Sequence, residues 1–170
     1  MLVWMVVVEW LARLIMLILV LLSVWSIAII LDRKKFFKLL DINKEFEKIK
    51  SEASKFRTED IDLGLSRYFY NQHLAMQKGL AILGTLGSTT PFIGLLGTIL
   101  GIIVAFGELS KGTSGTNAIM FALAEALILT AIGLFVAIPA VIAFNYFNKK
   151  IKDFKNEQQA MLNEFLAKVD

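Results

Sequence analysis

The sequence predicts an all-α integral membrane protein with three transmembrane helices. Three observations carry that prediction: a composition too apolar for a soluble domain, three apolar runs of spanning length, and a lopsided placement of lysine and arginine. Of the 170 residues, 56% are hydrophobic and 19% are charged, and the mean hydropathy is +0.65. A water-soluble chain of this size could not bury so much apolar surface, so lipid is the expected solvent. Cysteine is absent, which rules out disulfides and thiolate metal sites.

The first span covers Leu14–Leu31, where Ser23 and Ser26 are the only polar side chains. Its eighteen residues rise about 27 Å, close to the ~30 Å hydrocarbon core. Glu9 and Arg13 precede it at i,i+4, a spacing that lets them pair on one helical face near the membrane boundary. A cleaved signal peptide would need an early basic region and a small-residue cleavage site. The sequence shows neither, so a retained helix is expected.

The second span falls within Leu80–Leu109 and the third at about Ala118–Phe147. Both exceed the ~20 residues a bilayer requires, so they tilt or project beyond it. Sixteen of the eighteen lysines and arginines lie between Arg33 and Lys78 or after Phe147, and only Arg13 and Lys111 lie elsewhere. By the positive-inside rule the long segment and the tail are cytoplasmic and the N-terminus faces outward. The expected organisation is a first span over 1–31, a cytoplasmic helical segment over 32–79, a membrane core over 80–148 and a cytoplasmic C-terminal helix over 149–170.

Within the cytoplasmic segment, Leu39, Ile42, Phe46, Ile49, Ala53 and Phe56 recur every three or four residues. That stripe predicts an amphipathic helix packed against a neighbour. Thr58, Asp60 and Asp62 mark a break and a helix start. The following helix, from about Ile61, is expected to run continuously into the membrane.

Spans two and three are not uniformly greasy. Gly87, Pro91, Gly94, Thr98, Gly101 and Ala105 form one face of span two, and Ala126, Thr130, Gly133, Ala137 and Ala140 one face of span three. Stripes of small residues let helix backbones approach closely, so these faces are expected to meet protein. Pro91 and Pro139 each free one carbonyl and bend their helix, which close packing tolerates in membranes.

Thr98 and Thr130 both lie ~15–18 Å from the outer end of their spans, near the midplane. Two hydroxyls at one depth could form a polar ring if several subunits surround an axis. Alternatively, each could bond its own i−4 carbonyl. Spacing alone leaves both readings open. Glu125 lies ~10 Å inside span three, where a bare carboxylate is costly. It is either a site on a proton path or a structural carboxyl bonded to amides or another helix. A complete relay would need a further acid from another chain.

Other chemistries find no support. His73, the sole histidine, has no acidic or cysteine partner at ligand spacing. There is no phosphate-binding loop, dinucleotide fingerprint or nucleophile motif, so no enzyme, cofactor or metal is expected. Basic residues alternate with acidic ones, which argues against nucleic-acid binding. An internal repeat, expected of a stand-alone secondary transporter, is missing. A purely structural scaffold, whose small faces only pack, remains the alternative to ion conduction.

The segments STTPFIGLLGTILGIIVAF (88–106) and AEALILTAIGLFVAIPAVIAFNYF (124–147) resemble the signature of the MotA/TolQ/ExbB proton-channel family, over roughly Leu83–Asn148. Span one and the tail MLNEFLA look more like the TolQ branch than the ExbB branch. The resemblance implies a homopentamer in the bacterial inner membrane, surrounding paired helices of a TolR- or ExbD-like partner with one span and one membrane aspartate. It implies that Thr98 and Thr130 line the interior near that aspartate and that Glu125 matches the family's glutamate in span three. Proton flow would turn the pentamer about the partner and drive a TolA- or TonB-like protein reaching toward the outer membrane. The segment Asp32–Lys78 is compact beside that of enterobacterial relatives. The flagellar stator branch fits less well, because it usually carries four spans and a larger cytoplasmic domain.

Overall fold

A computed structural model describes residues 2–40, 44, 47–48, 51, 61–110, 112 and 115–166. All regular structure among them is helical: α1 (Leu2–Leu39), α2 (Ile61–Gln77), α3 (Leu80–Ser110) and α4 (Thr116–Leu166). Three of the helices are long and apolar enough to cross a membrane. The predicted stripe from Ile42 to Phe56 and the predicted break at Thr58 and Asp60 lie outside the described residues.

One expectation is corrected. The helix beginning at Ile61 does not run unbroken into the second span. It stops at Gln77, and Lys78–Gly79 form a turn in which Gly79 takes φ 78°. That left-handed conformation suits glycine and ends a helix. Gly112, at φ 66°, serves likewise after α3, and its amide donates to the Leu109 carbonyl at 3.1 Å. At the C-terminal side no helix boundary falls at 148/149, because α4 continues to Leu166. Pro91 and Pro139 both sit inside continuous helices.

The chain divides into two compact units. The first comprises Met1–Ile30 and Ile82–Ala143. Its core is built where α1 meets the α3–α4 pair: Ile15, Leu19 and Leu129 are buried together, with Ile93, Leu100 and Ile132 against them. Between α3 and α4 the predicted small-residue faces meet. Ala105, Ala126, Ala137 and Ala140 are all buried. A Cβ added at Gly101 would lie 2.5 Å from the Ala126 Cβ, and one added at Gly133 would lie 2.7 Å from the Thr90 carbonyl oxygen. At Gly87 the added atom would collide with Val141. The outer faces are the reverse. Phe92, Phe121 and Phe135 are each at least 70% exposed, a distribution that suits lipid or neighbouring chains rather than water.

The second unit comprises Leu31–Ala81 and Phe144–Asp170. Phe37 stacks on Phe147 at 5.3 Å between centroids and 15° between planes. Met76, Leu80, Ile151 and Phe154 are buried in the same unit. Arg33 is buried too, at 7% exposure. Its Nε and Nη2 donate to Asp32 Oδ2 at 3.0 and 2.6 Å, its Nη1 donates to the Ala75 carbonyl at 2.9 Å, and its guanidinium lies 4.9 Å from the Phe36 ring centre. Ala75 is in the last turn of α2, whose carbonyls lack amide partners further along the helix. Arg33 therefore caps the helix that Gly79 ends, and its charge suits the negative end of the helix dipole. Gln158 Nε2 donates to Gln72 Oε1 at 2.5 Å, and a His73 ring nitrogen hydrogen-bonds the Gln77 side-chain amide at 2.9 Å.

Candidate functional site

The site lies inside the first unit, on the seam between α3 and α4. Gly94 makes it possible. A Cβ there would come within 2.8 Å of the Leu129 carbonyl oxygen, 3.1 Å of Thr130 Cα and 3.2 Å of Gly133 Cα. With only hydrogen at that position, the α3 and α4 backbones approach closely and one turn later the two threonines face each other.

Thr98 Oγ1 donates to the Ala126 carbonyl at 3.0 Å, and Thr130 Oγ1 donates to the Gly94 carbonyl at 3.3 Å. The two hydroxyls also share a short hydrogen bond with each other. Thr98 reaches its own i−4 carbonyl, Gly94, at 3.3 Å as well. The cross-helix contacts are reciprocal, because Gly94 is four residues before Thr98 and Ala126 four before Thr130. Each threonine thus bonds the carbonyl that the other would take in an isolated helix. The reading in which a threonine bonds its own i−4 carbonyl holds for Thr98, and the hydroxyl–hydroxyl contact lies within a single chain.

Only two hydroxyl protons serve this cluster. Three arrangements keep the hydroxyl–hydroxyl bond: Thr130 to Thr98 to the Ala126 carbonyl, Thr130 to Thr98 to the Gly94 carbonyl, or Thr98 to Thr130 to the Gly94 carbonyl. Interconversion requires only rotation of the two hydroxyls. Thr98 is 7% exposed, whereas Thr130 is half-buried.

Glu125 is adjacent in sequence to Ala126, whose carbonyl anchors Thr98. Its side chain is exposed and lines a cleft of about 80 Å³ with Gly101 and Val104 of α3 and with Glu9, Ala12, Arg13 and Met16 of α1. Arg13 Nη2 pairs with Glu9 Oε1 at 2.7 Å, the i,i+4 pairing expected from spacing. That the pair shares a cleft with Glu125 was not expected, since it depends on how α1 is rotated against α4.

The remaining predicted positions divide by burial. Gly87, Gly94, Gly101, Ala126, Gly133 and Ala137 lie on the seam, Pro91 is half-buried at its edge, and Pro139 is exposed on the opposite face of α4. Thr90 was passed over by sequence reasoning. It is fully buried, with Oγ1 on the Leu86 carbonyl at 2.6 Å, and its own carbonyl faces Gly133. Its place one residue before Pro91, beside the Gly87–Gly94 stripe, was the available signal. Among the described residues no group of three or more His, Asp or Glu side chains could hold a metal ion.

Residues 40–160 match the family described as the MotA/TolQ/ExbB proton channel family. The chain is 46% identical over 94 residues to a biopolymer transport protein ExbB of Xanthomonas campestris pv. campestris (strain B100), covering 55% of this chain and 37% of that one. It is 37% identical over 133 residues to a putative biopolymer transport protein ExbB-like 2 of Helicobacter pylori (strain ATCC 700392 / 26695), covering 78% and 75%. A Tol-Pal system protein TolQ of Pseudomonas aeruginosa is 43% identical over 93 residues, covering 54% and 40%. The match thus spans well under half of the Xanthomonas and Pseudomonas relatives and three quarters of the Helicobacter one. Relatives of both names are consistent with the TolQ/ExbB branch, and the chain belongs to the MotA/TolQ/ExbB proton channel family.

Proposed function

We propose that this chain is the proton-conducting subunit of an inner-membrane energy transducer of the TolQ–TolR or ExbB–ExbD type. The observation that carries the reading is the Thr98–Thr130 pair: two hydroxyls bonded to each other on a small-residue seam, in the segment matched by the family. In this reading several copies, five by family analogy, surround the span of a small partner. A membrane aspartate on that partner carries the proton, and the threonine pair exchanges hydrogen bonds beside it. Glu125 acts nearer the outer face. The N-terminus faces outward, and the basic 32–79 segment and the tail are cytoplasmic, extending the helices beyond the membrane. Proton flow then drives a TolA- or TonB-like protein. The chain is a transducer of the gradient and not an enzyme in the bond-making sense.

A second reading rests on the same contacts. The seam hydrogen bonds are completed within one chain, as they would be in a scaffold that only packs. Co-expression with a single-span, aspartate-bearing partner, followed by native mass spectrometry in mild detergent and lipid, separates the two. Five copies of this chain with two of the partner support the transducer. An oligomer that excludes the partner removes the acid that conduction requires and leaves the scaffold.

A further inference from the structure

We propose that the cleft between α1, α3 and α4 is a water-filled, cation-attracting vestibule through which hydronium reaches Glu125 from the outer face, with Arg13 as its positioning residue. Nothing in the family match assigns it, since Glu9 and Arg13 precede the matched residues 40–160.

Three side chains carry the charge of the cleft: Glu9 and Arg13 from α1 and Glu125 from α4, while α3 contributes only Gly101 and Val104. Glu9 and Arg13 lie toward the membrane boundary, but a carboxylate at Glu125, ~10 Å inside its span, is costly unless water reaches it. The cleft supplies the space. Its roughly 80 Å³ has room for about five waters, at ~15 Å³ of accessible volume each. Gly101 and Ala126, which pack tightly against each other, form its floor on the α3–α4 side.

Two carboxylates against one guanidinium leave the cleft net negative. Walls of low dielectric focus such a field and raise the local concentration of cations. Arg13 donates through Nη2 to Glu9 Oε1 at 2.7 Å, and a guanidinium has further N–H donors for a second carboxylate. It holds Glu9 at the cleft and offsets part of its negative charge. The inner end of the cleft is one peptide unit from the Thr98 cluster, since Glu125 precedes Ala126, whose carbonyl accepts from Thr98.

The inference takes its cargo from the proton-channel reading, but its hydration and charge can be tested without any flux. The chain has no cysteine, so a thiol introduced by Ala122→Cys, at a position that lines the cleft, would report on the cleft alone. Right-side-out and inverted membrane vesicles containing the full complex would be treated with membrane-impermeant cationic and anionic thiosulfonates. Phe135→Cys, on an exposed apolar face, provides the comparison. The expected result is labelling of the Ala122→Cys thiol from the outer face, with the cationic reagent faster by about tenfold, the scale on which focused fields act. Glu125→Gln should reduce that preference and Arg13→Gln should increase it, with Arg13→Lys restoring the parent ratio and native mass spectrometry reporting intact assembly. No labelling from the outer face, or equal rates for the two reagents, overturns the vestibule even if the complex conducts protons. Labelling as expected in a complex with no proton flux retains the vestibule and removes the channel reading.

Discussion

Thr98 and Thr130 each hydrogen-bond the backbone carbonyl four residues before the other, Thr98 to Ala126 at 3.0 Å and Thr130 to Gly94 at 3.3 Å. An isolated helix offers a threonine only its own i−4 carbonyl. Crossing the two bonds ties α3 to α4 at one level and leaves the hydroxyls in contact. The arrangement depends on Gly94, because any side chain there would press the helices apart.

The crossed bonds should make the two threonines energetically coupled. Thr98→Ala and Thr130→Ala are each expected to lower the stability of the detergent-solubilised protein by about 1 kcal/mol, and the double variant by less than the sum, with a coupling of roughly 0.5–1.5 kcal/mol. A double-mutant cycle measured by thermal or denaturant unfolding would check this. Strict additivity would mean that each hydroxyl bonds only its own helix.

Gly94→Ala should cost about 1–3 kcal/mol, the range for overpacking, because the added methyl meets backbone atoms that cannot swing aside. Gly97→Ala should cost less, since its nearest neighbour at 3.1 Å is the Leu129 Cδ1 atom, part of a flexible side chain. Gly115→Ala should be close to neutral, with no atom within 4 Å of the added Cβ. The melting temperature should be lowest for Gly94→Ala and highest for Gly115→Ala.

Arg33→Met would keep much of the buried stem but remove the donor to Ala75 and the pairing with Asp32. A loss of about 1–3 kcal/mol follows from an orphaned carbonyl and a lost charge-assisted bond. Amide hydrogen exchange should accelerate at the end of α2, around Leu74–Gln77, and the membrane seam should be unaffected. Arg33→Lys should rescue only in part, as an ammonium cannot fork to two acceptors in one plane.

Much of this architecture was legible in the sequence because membranes impose strong rules. Apolar runs of spanning length at 14–31, 80–109 and 118–147 correspond to the interiors of α1, α3 and α4. The small-residue faces were readable since backbones approach only where side chains are small, and Ala126, Ala137 and Ala140 are accordingly buried. The Glu9–Arg13 pair followed from i,i+4 geometry alone.

What could not be read depended on rotation and on backbone conformation. Periodicity places Thr98 and Thr130 at one depth, but whether two hydroxyls face each other is set by the relative rotation of α3 and α4. The same holds for Arg13 and Glu125, which line one cleft although they lie more than a hundred residues apart in the chain. The continuous helix expected through Lys78 failed at Gly79, because a single glycine inside a helical pattern is compatible with either continuation or a left-handed stop. Arg33 was read only as one of many cytoplasmic cations. Its burial arises from the helix end that this stop creates.

The most direct test of the account is proton uptake into liposomes containing the complex of this chain with its single-span partner, under an imposed gradient. The account predicts flux in the parent complex and a loss of about tenfold or more, ~1.4 kcal/mol in barrier, in Thr98→Ala and in Thr130→Ala, with subunit stoichiometry unchanged. Parent-level flux in both variants, or no flux in a correctly assembled parent complex, would contradict it.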